Sequence, residues 1–359
     1  MTEADNIENV RPSWPGIPDL REMTLDELEQ VTAGAGEAPY RARQIMRRLW
    51  AHAVSEPDAM PEIPGHLRQY LKQNFSIGRL GVSSVERAAD GTRKLLLRLG
   101  DGAQIESVII PAQDRTTLCL SSQAGCAMAC SFCATARMGL RRNLTASEIL
   151  GQIIAAKSEC GAGEGLTNYV FMGMGEPLAN YARLCRALTI MTADWGLAIS
   201  PRRITVSTVG LVPMMERLLA DYPINLAVSL HATSDQLRNE LAPINRRYPL
   251  AQLLDACRRL PLSRRSRITF EYVMLSGVND SPEDAHRLLR LLAPLKAKVN
   301  LIFFNRFAGA PFLPSPRARV EDFQAILLHG NLTATIRESR GADIAAACGQ
   351  LYAERGRSS

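Results

Sequence analysis

Lysine is scarce in this chain of 359 residues: only five of its 42 basic residues are lysine. A bias of that kind follows genome composition, so the identity of a basic residue carries little weight by itself. Aromatic residues make up 6%, which gives little support to a base-stacking platform. No run of 18 apolar residues occurs, so no spanning helix and no membrane partner are expected. Residues 1–18 are polar and interrupted by proline. A cleaved leader is therefore not expected, and a cytoplasmic setting is. Neither an internal repeat nor a low-complexity stretch is present. Hydrophobic content of 46% and charged content of 22% are ordinary for a folded globular protein and exclude wholesale disorder.

What is present begins with length. By the usual size of domains, the chain implies one large core plus a smaller appendage, with enough residues to bury a core without disulfide staples. Net charge is +6, too mild to name a partner. Its distribution is more informative. Between Pro201 and Phe270 there are eleven arginines against five acidic residues, an excess of six that equals that of the whole chain. Arg202/Arg203, Arg246/Arg247, Arg258/Arg259 and Arg264/Arg265/Arg267 form its clusters. Any one pair is as readily a solvated helix face, but together they lean towards a phosphate-binding face.

The first hundred residues read as a separate module. Helices are expected at Thr24–Val31, Tyr40–His52 and His66–Asn74, the first opened by the capping box Thr24…Glu27. Strands at Arg93–Arg98 and Ile105–Ile110 flank the turn Gly100-Asp101-Gly102. This places a helical N-terminal domain with its strand connector over 1–100 and the core over 101–359. From Thr117 onward, β-branched runs at Thr117–Leu120, Tyr169–Met172, Ile204–Val206, Asn225–Ser229, Ile268–Met274 and Val299–Phe304 alternate with helical patterns. One of those helices opens on a second capping box, Thr145…Glu148. Such alternation is α/β and implies a parallel sheet, open or closed into a barrel, with active residues at the C-terminal strand ends.

Eight cysteines are present, and three crowd into Cys126-Ala-Met-Ala-Cys130-Ser-Phe-Cys133 after the first of these strands. In a reducing compartment such a cluster points to metal or catalysis rather than to disulfides. A closed zinc site needs four ligands, and no fourth lies in obvious range. Structural iron–sulfur clusters also take four cysteines, so three would leave one iron open to a ligand. Cys-x3-Cys-x2-Cys in this position resembles the radical S-adenosylmethionine (SAM) superfamily. That resemblance implies a partial (βα)6 barrel, a [4Fe–4S] cluster held by Cys126, Cys130 and Cys133, and SAM bound to the open iron. It also implies SAM contacts from Gly175 and Glu176 in Met172-Gly-Met-Gly-Glu-Pro177, and from Ser207, Ser229-Leu230-His231 and Asn305 at later strand ends. Taken alone, each of these is more often a turn glycine or a satisfied hydrogen bonder.

The likeness extends further. Cys119-Leu-Ser-Ser-Gln-Ala-Gly-Cys126, Phe171-Met-Gly-Met-Gly-Glu-Pro-Leu178 and Ser339-Arg-Gly-Ala-Asp343 with Ala347-Cys348-Gly-Gln-Leu351 resemble the RlmN/Cfr family of RNA adenine methyltransferases. The resemblance runs from about Met23 to the C-terminus. Adenine C2 and C8 are poor nucleophiles, and the family overcomes this with two SAM molecules and a protein thiol. By resemblance, Cys348 is the methylated thiol, Glu106 the proton acceptor, and Cys119 the resolving thiol that forms a transient disulfide with Cys348. The substrates implied are 23S rRNA at the peptidyl transferase centre and adenosine 37 of certain tRNAs, with C2 the commoner target and C8 the Cfr alternative. An electron donor such as a flavodoxin is implied, and a monomer is expected. Read without the family, Glu106 is an exposed carboxylate on a strand and Cys348 a small residue in the alanine-rich helix Ile344–Ala347. Cys160, Cys185 and Cys257 are read as packing residues. The family's usual Asn-Pro after the sixth strand is Asn305-Arg306 here, which puts the shape of that loop in question. Two rival readings remain: an RNA-binding protein with a structural metal cluster, and a radical SAM enzyme acting on another substrate.

Overall fold

Apolar residues at alternate positions of the central strands need cover on one side only, and amphipathic helices between the strands supply it. The computed structural model describes residues 17–161, 163–264 and 266–352. The proline-broken segment read at the N-terminus, up to residue 16, and Arg265 lie outside the described residues. Helices α1 (Leu25–Gly34), α2 (Tyr40–Trp50) and α3 (Gly65–Asn74) come first. Strands β1 (Gly81–Arg87), β2 (Arg93–Arg98), β3 (Gln104–Ala112), β4 (Arg115–Cys119) and β5 (Gln123–Gly125) follow. Next are α4 (Ala134–Arg137), β6 (Leu140–Asn143) and α5 (Ala146–Glu159). The chain then alternates through β7 (Asn168–Phe171), α6 (Tyr181–Thr192), β8 (Ile204–Thr208), α7 (Val212–Asp221) and β9 (Asn225–Ser229). It ends with α8 (Asp235–Leu241), α9 (Leu250–Arg259), β10 (Ile268–Met274), α10 (Pro282–Leu292), β11 (Ala297–Phe303), α11 (Arg317–His329) and β12 (Ala334–Arg337).

Ten of these strands share one sheet in the order β1-β2-β3-β4-β7-β8-β9-β10-β11-β12, while β5 and β6 pair apart. Neighbours from β4 to β12 are parallel, and β1 to β4 are antiparallel. The expected six-stranded partial barrel is β4 and β7 to β11, extended on one side by the β1–β3 meander and on the other by β12. Both expected capping boxes form, Thr24 with Glu27 and Thr145 with Glu148. Register decides which residues face the hollow. Phe171, Val206, Leu226, Val228, Phe270, Tyr272, Val299 and Leu301 are buried on the helix side, each worth roughly 1.5–3 kcal/mol of apolar burial. The opposite face mixes polar and charged residues with a few small or branched apolar ones. Lys94, Val108, Cys119, Val170, Thr205 and Ser207 follow one another across neighbouring strands or two residues along a strand. Ala227, Ser229, Glu271, Asn300, Ile302 and Arg337 continue the same face.

The helical N-terminal part docks on the core through charge. The Arg186 guanidinium donates to both carboxylate oxygens of Glu27 (2.5 and 3.0 Å) and to the Glu22 carbonyl (2.6 Å). Glu22 in turn accepts from the Ser147 N–H at 2.6 Å. Several elements were not anticipated from sequence. β1 is mostly exposed and polar, so it lacks apolar alternation. β5 and β6 are three and four residues long, too short to show a period. The seven-residue α8 follows β9 with barely a linker. The helix expected at Ile344–Ala347 is replaced by one short 3-10 turn, Ala342–Ile344, with Gly341 and Ala345 left-handed at its ends.

Candidate active site

The cysteine loop hangs between the β5–β6 hairpin and α4. Gly125 (φ +82°) makes that hairpin possible, because a Cβ there would sit 1.9 Å from the Gly139 carbonyl oxygen. The Cys126 N–H then donates to that carbonyl at 2.9 Å, and the Ser131 N–H reaches the Leu241 carbonyl at 3.0 Å. Burial pushes the Cys126 thiol up to about 11 and raises Cys130 and Cys133 as well, with the charges of Cys126 and Cys133 adding to the shift at Cys130. Among the described residues no three His, Cys, Asp or Glu side chains converge tightly enough to hold a single metal ion. The three thiols share one loop, with Cys126 and Cys133 both within electrostatic reach of Cys130.

The loop after β7 closes on the strand that leads into the cysteines. Gly175 (φ +99°) leaves no room for a side chain: a Cβ would lie 2.5 Å from Gln123 Cβ and 2.8 Å from its backbone nitrogen. Glu176 is buried, and its two oxygens accept from the N–H groups of Leu178 (3.0 Å) and Val209 (2.9 Å). Burial pushes its carboxyl up to about 7 against those bonds. This side chain therefore braces the ends of β7 and β8 whatever else it contacts. Ser207 and Ser229 lie half-buried on the hollow face. Leu230 is fully buried, and its N–H donates to the Glu271 carbonyl at 3.0 Å. His231 has a left-handed backbone (φ +59°), and its Nδ1 accepts from the Val273 N–H at 3.0 Å. The ring proton is then on Nε2. Burial, and secondly the charge of Arg238, pull the imidazole down to about 3, so it stays neutral. Phe132 of the cysteine loop packs edge-on against it at 4.4 Å.

Glu106 and Cys119 from the paired strands β3 and β4 are brought together with Cys348 from the far C-terminal segment. Cys119 ends β4 beside β3, and the Ser107 hydroxyl donates to its carbonyl at 2.7 Å. Burial raises its thiol strongly, and the charge of Cys348 adds to the shift, which places the two sulfurs within electrostatic reach. Cys348 is solvent-exposed on a turn that is pinned from several sides. The Ala134 N–H donates to the Gly349 carbonyl (2.7 Å), the Thr135 hydroxyl to Leu351 (2.6 Å), Asn305 Nδ2 to the Cys348 carbonyl (3.3 Å) and Gln350 Nε2 to Arg306 (2.8 Å). Its thiol is raised by desolvation first and by the Glu271 charge second, opposed by Arg337. Glu106 is buried, not exposed as the strand pattern suggested. Its Oε2 accepts from the Tyr352 N–H at 2.8 Å and its Oε1 lies 3.2 Å from Lys94 Nζ. Burial raises this carboxyl and the Lys94 charge opposes the rise. The disulfide expected between Cys119 and Cys348 is not formed, and both are free thiols.

Several residues of this site went unnoticed in the sequence. Arg238, fully buried, donates to the carbonyls of Val209 (2.7 Å), Ser229 (3.0 Å) and Leu230 (3.2 Å) and to Asn245 Oδ1 (2.9 Å), which ties two strand-end loops together. Glu271 carries the one charge of its strand, a signal that was legible and unused, whereas Lys94 stands beside Arg93 in a strand that begins and ends on arginine. The arginine clusters do not converge on the mouth. Arg202/Arg203 and Arg267 precede β8 and β10, and Arg258/Arg259 end α9, so these lie at the opposite end of the barrel from the cysteines. Only Arg246/Arg247, after α8, sit on the mouth side. Cys257 is buried as expected, and Cys160 is partly buried and packs against the core beside a surface cleft lined by Lys157 and Tyr169, far from the mouth.

Comparison with known proteins gives three concordant findings. Residues 120–289 match the radical SAM superfamily, and residues 18–77 match the ribosomal RNA large subunit methyltransferase N-terminal domain. Proteins named dual-specificity RNA methyltransferase RlmN are similar over most of their length. The one from Geobacter sulfurreducens is 51% identical, covering 93% of this chain and 91% of its own. One from an Anaeromyxobacter species is 50% identical, covering 94% and 92%. A crystal structure of a radical SAM methyltransferase from Sphaerobacter thermophilus superposes with a TM-score of 0.89 at 46% identity, covering 94% of this chain and 100% of that one.

Proposed function

The chain belongs to the RlmN family of radical SAM RNA methyltransferases, and on that premise we propose that it methylates C2 of an adenine in 23S rRNA and in tRNA, with Cys348 carrying the transferred carbon. Its cofactors are a [4Fe–4S] cluster and SAM. The observation that carries the assignment of Cys348 is its turn, exposed into the polar hollow yet hydrogen-bonded to the cysteine loop, to the loop after β11 and, through Tyr352, to Glu106.

Cys126, Cys130 and Cys133 would hold the cluster, and Gly175, Glu176, Ser207, Ser229, Leu230, His231 and Asn305 would line the SAM site. When bound, the cluster and SAM would supply the methyl group that the Cys348 sulfur carries and the radical chemistry that activates it. Cys348 presents the activated carbon to the base from a turn fixed at both ends. Asn305 holds the carbonyl of that turn. Glu106 takes the proton that the base carbon must lose, and burial that raises its carboxyl suits a proton acceptor. Cys119 supplies the neighbouring thiol that frees Cys348 from the product. Neutral His231 shapes the mouth through its backbone and ring contacts and contributes no charge. Reduction at each turnover calls for a one-electron donor such as a flavodoxin, and we place the enzyme in the cytoplasm as a monomer. Among the described residues no helix is long and apolar enough to cross a membrane.

Incubation of the holoenzyme with methyl-labelled SAM tests the assignment. Wild type carries label on Cys348 and passes it to RNA, whereas Cys348→Ala does neither. Labelled RNA from Cys348→Ala would remove Cys348 from the chemistry.

A further inference from the structure

A lysine side chain is buried at the heart of this site, although only five of the chain's 42 basic residues are lysine. Lys94 is 8% exposed along its side chain, and its Nζ lies 3.2 Å from Glu106 Oε1 and 3.2 Å from Glu86 Oε1. Register produces the arrangement. Glu86 on β1 is the direct cross-strand partner of Lys94 on β2. Lys94 pairs with Val108 on β3, two residues along from Glu106 on the same face. The side chain of Glu106 is 6% exposed and that of Glu86 is 50% exposed, so the three run from the hollow to the surface.

We propose that Lys94 is a positioning residue that keeps Glu106 ionised and aimed at the substrate carbon, with Glu86 as its outer anchor. This rests on Glu106 being the proton acceptor. A buried carboxyl drifts towards its neutral form, and a neutral carboxylic acid cannot accept the proton on which product release depends. The charged groups facing Glu106 are Lys94 from β2, which favours the carboxylate, and Glu86 from β1, which disfavours it. From the C-terminal segment the Tyr352 N–H adds a hydrogen bond at 2.8 Å. Glu106 is thereby fixed through one oxygen by an ammonium and through the other by backbone four residues beyond Cys348. Burying an ammonium is costly unless it is paired on several sides, and the two carboxylates meet that need.

Single-turnover reactions of the reconstituted holoenzyme with RNA, followed from neutral to mildly alkaline pH, test the proposal. Two quantities are read, 5′-deoxyadenosine and the covalent protein–RNA adduct. Lys94→Met forms 5′-deoxyadenosine to the wild-type extent, which also shows that the site is folded. It accumulates adduct, releases product about 10-fold more slowly at neutral pH, and recovers as pH rises. Lys94→Arg restores most of the rate, and Lys94→Gln, which can hydrogen-bond to both carboxylates without charge, behaves like Lys94→Met. Wild-type release by Lys94→Met, or an equal slowing at every pH, overturns the proposal. Glu106→Gln is run alongside: wild-type release by that variant would instead remove Glu106 as the proton acceptor, an outcome distinct from failure at Lys94.

Discussion

Glu271→Gln isolates what a single buried carboxyl costs this barrel. Glu271 lies on the hollow face of β10, buried, with Oε1 accepting from Asn300 Nδ2 at 2.9 Å. Burial pushes its carboxyl up to about 7 from 4.5, against the Asn300 hydrogen bond and the charges of Arg337 and Lys298. Because the folded value is raised, its contribution to stability is fully present below pH 4.5 and is lost as pH climbs through about 7. A shift of about 2.5 units at 1.36 kcal/mol each corresponds to about 3 kcal/mol. Glutamine keeps the oxygen that Asn300 uses and has no proton to lose. Urea unfolding of wild type and Glu271→Gln, in the same cofactor state, should therefore diverge with pH. Relative to wild type, the variant should gain about 3 kcal/mol between acid and mildly alkaline solution. Glu176, raised in the same direction, is common to both proteins and cancels. Parallel stability profiles would refute the reasoning, because they would mean that Glu271 titrates as if it were in water.

Two further substitutions probe the walls of the site. Gly175→Ala forces a Cβ to within 2.5 Å of Gln123 Cβ at φ +99°. It should cost about 1–2 kcal/mol in backbone strain and about 1–3 kcal/mol in overpacking, read as a fall in the unfolding midpoint together with loss of SAM binding. Asn305→Ala removes the 3.3 Å bond to the Cys348 carbonyl and should change stability by only about 0.5–1.5 kcal/mol. It should nevertheless slow methylation of Cys348, followed by intact-protein mass, because the Cys348 carbonyl loses its anchor and only the Gln350–Arg306 bond still ties the turn to the loop after β11.

Much of this architecture was legible because β-branched runs from Thr117 to Phe304 alternate with helical patterns that carry apolar stripes, one of them opened by a capping box. The elements that escaped are those whose stability is not local. β5 and β6 exist because Gly125 lets two short strands touch, and α8 is held by Arg238, whose partners are three backbone carbonyls at the ends of β8 and β9 and the Asn245 side chain. The site was legible only in part for a related reason. Cysteine spacing is a local property, so Cys126, Cys130 and Cys133 stood out at once. The meeting of Glu106, Cys119 and Cys348 depends on strand register and on a C-terminal turn that carries no periodic signal. Glu106 looked exposed because alternation along a strand does not reveal that its polar face lines a hollow. The C-terminal backbone then covers it, through Tyr352.

Nucleoside mass spectrometry of rRNA and tRNA tests the central claim most directly, comparing a strain that lacks this gene with the same strain carrying the wild-type or the Cys348→Ala gene. The account predicts that 2-methyladenosine disappears on deletion, returns with the wild-type gene and stays absent with Cys348→Ala. Unchanged 2-methyladenosine on deletion, its return with Cys348→Ala, or loss of 8-methyladenosine in its place would contradict it.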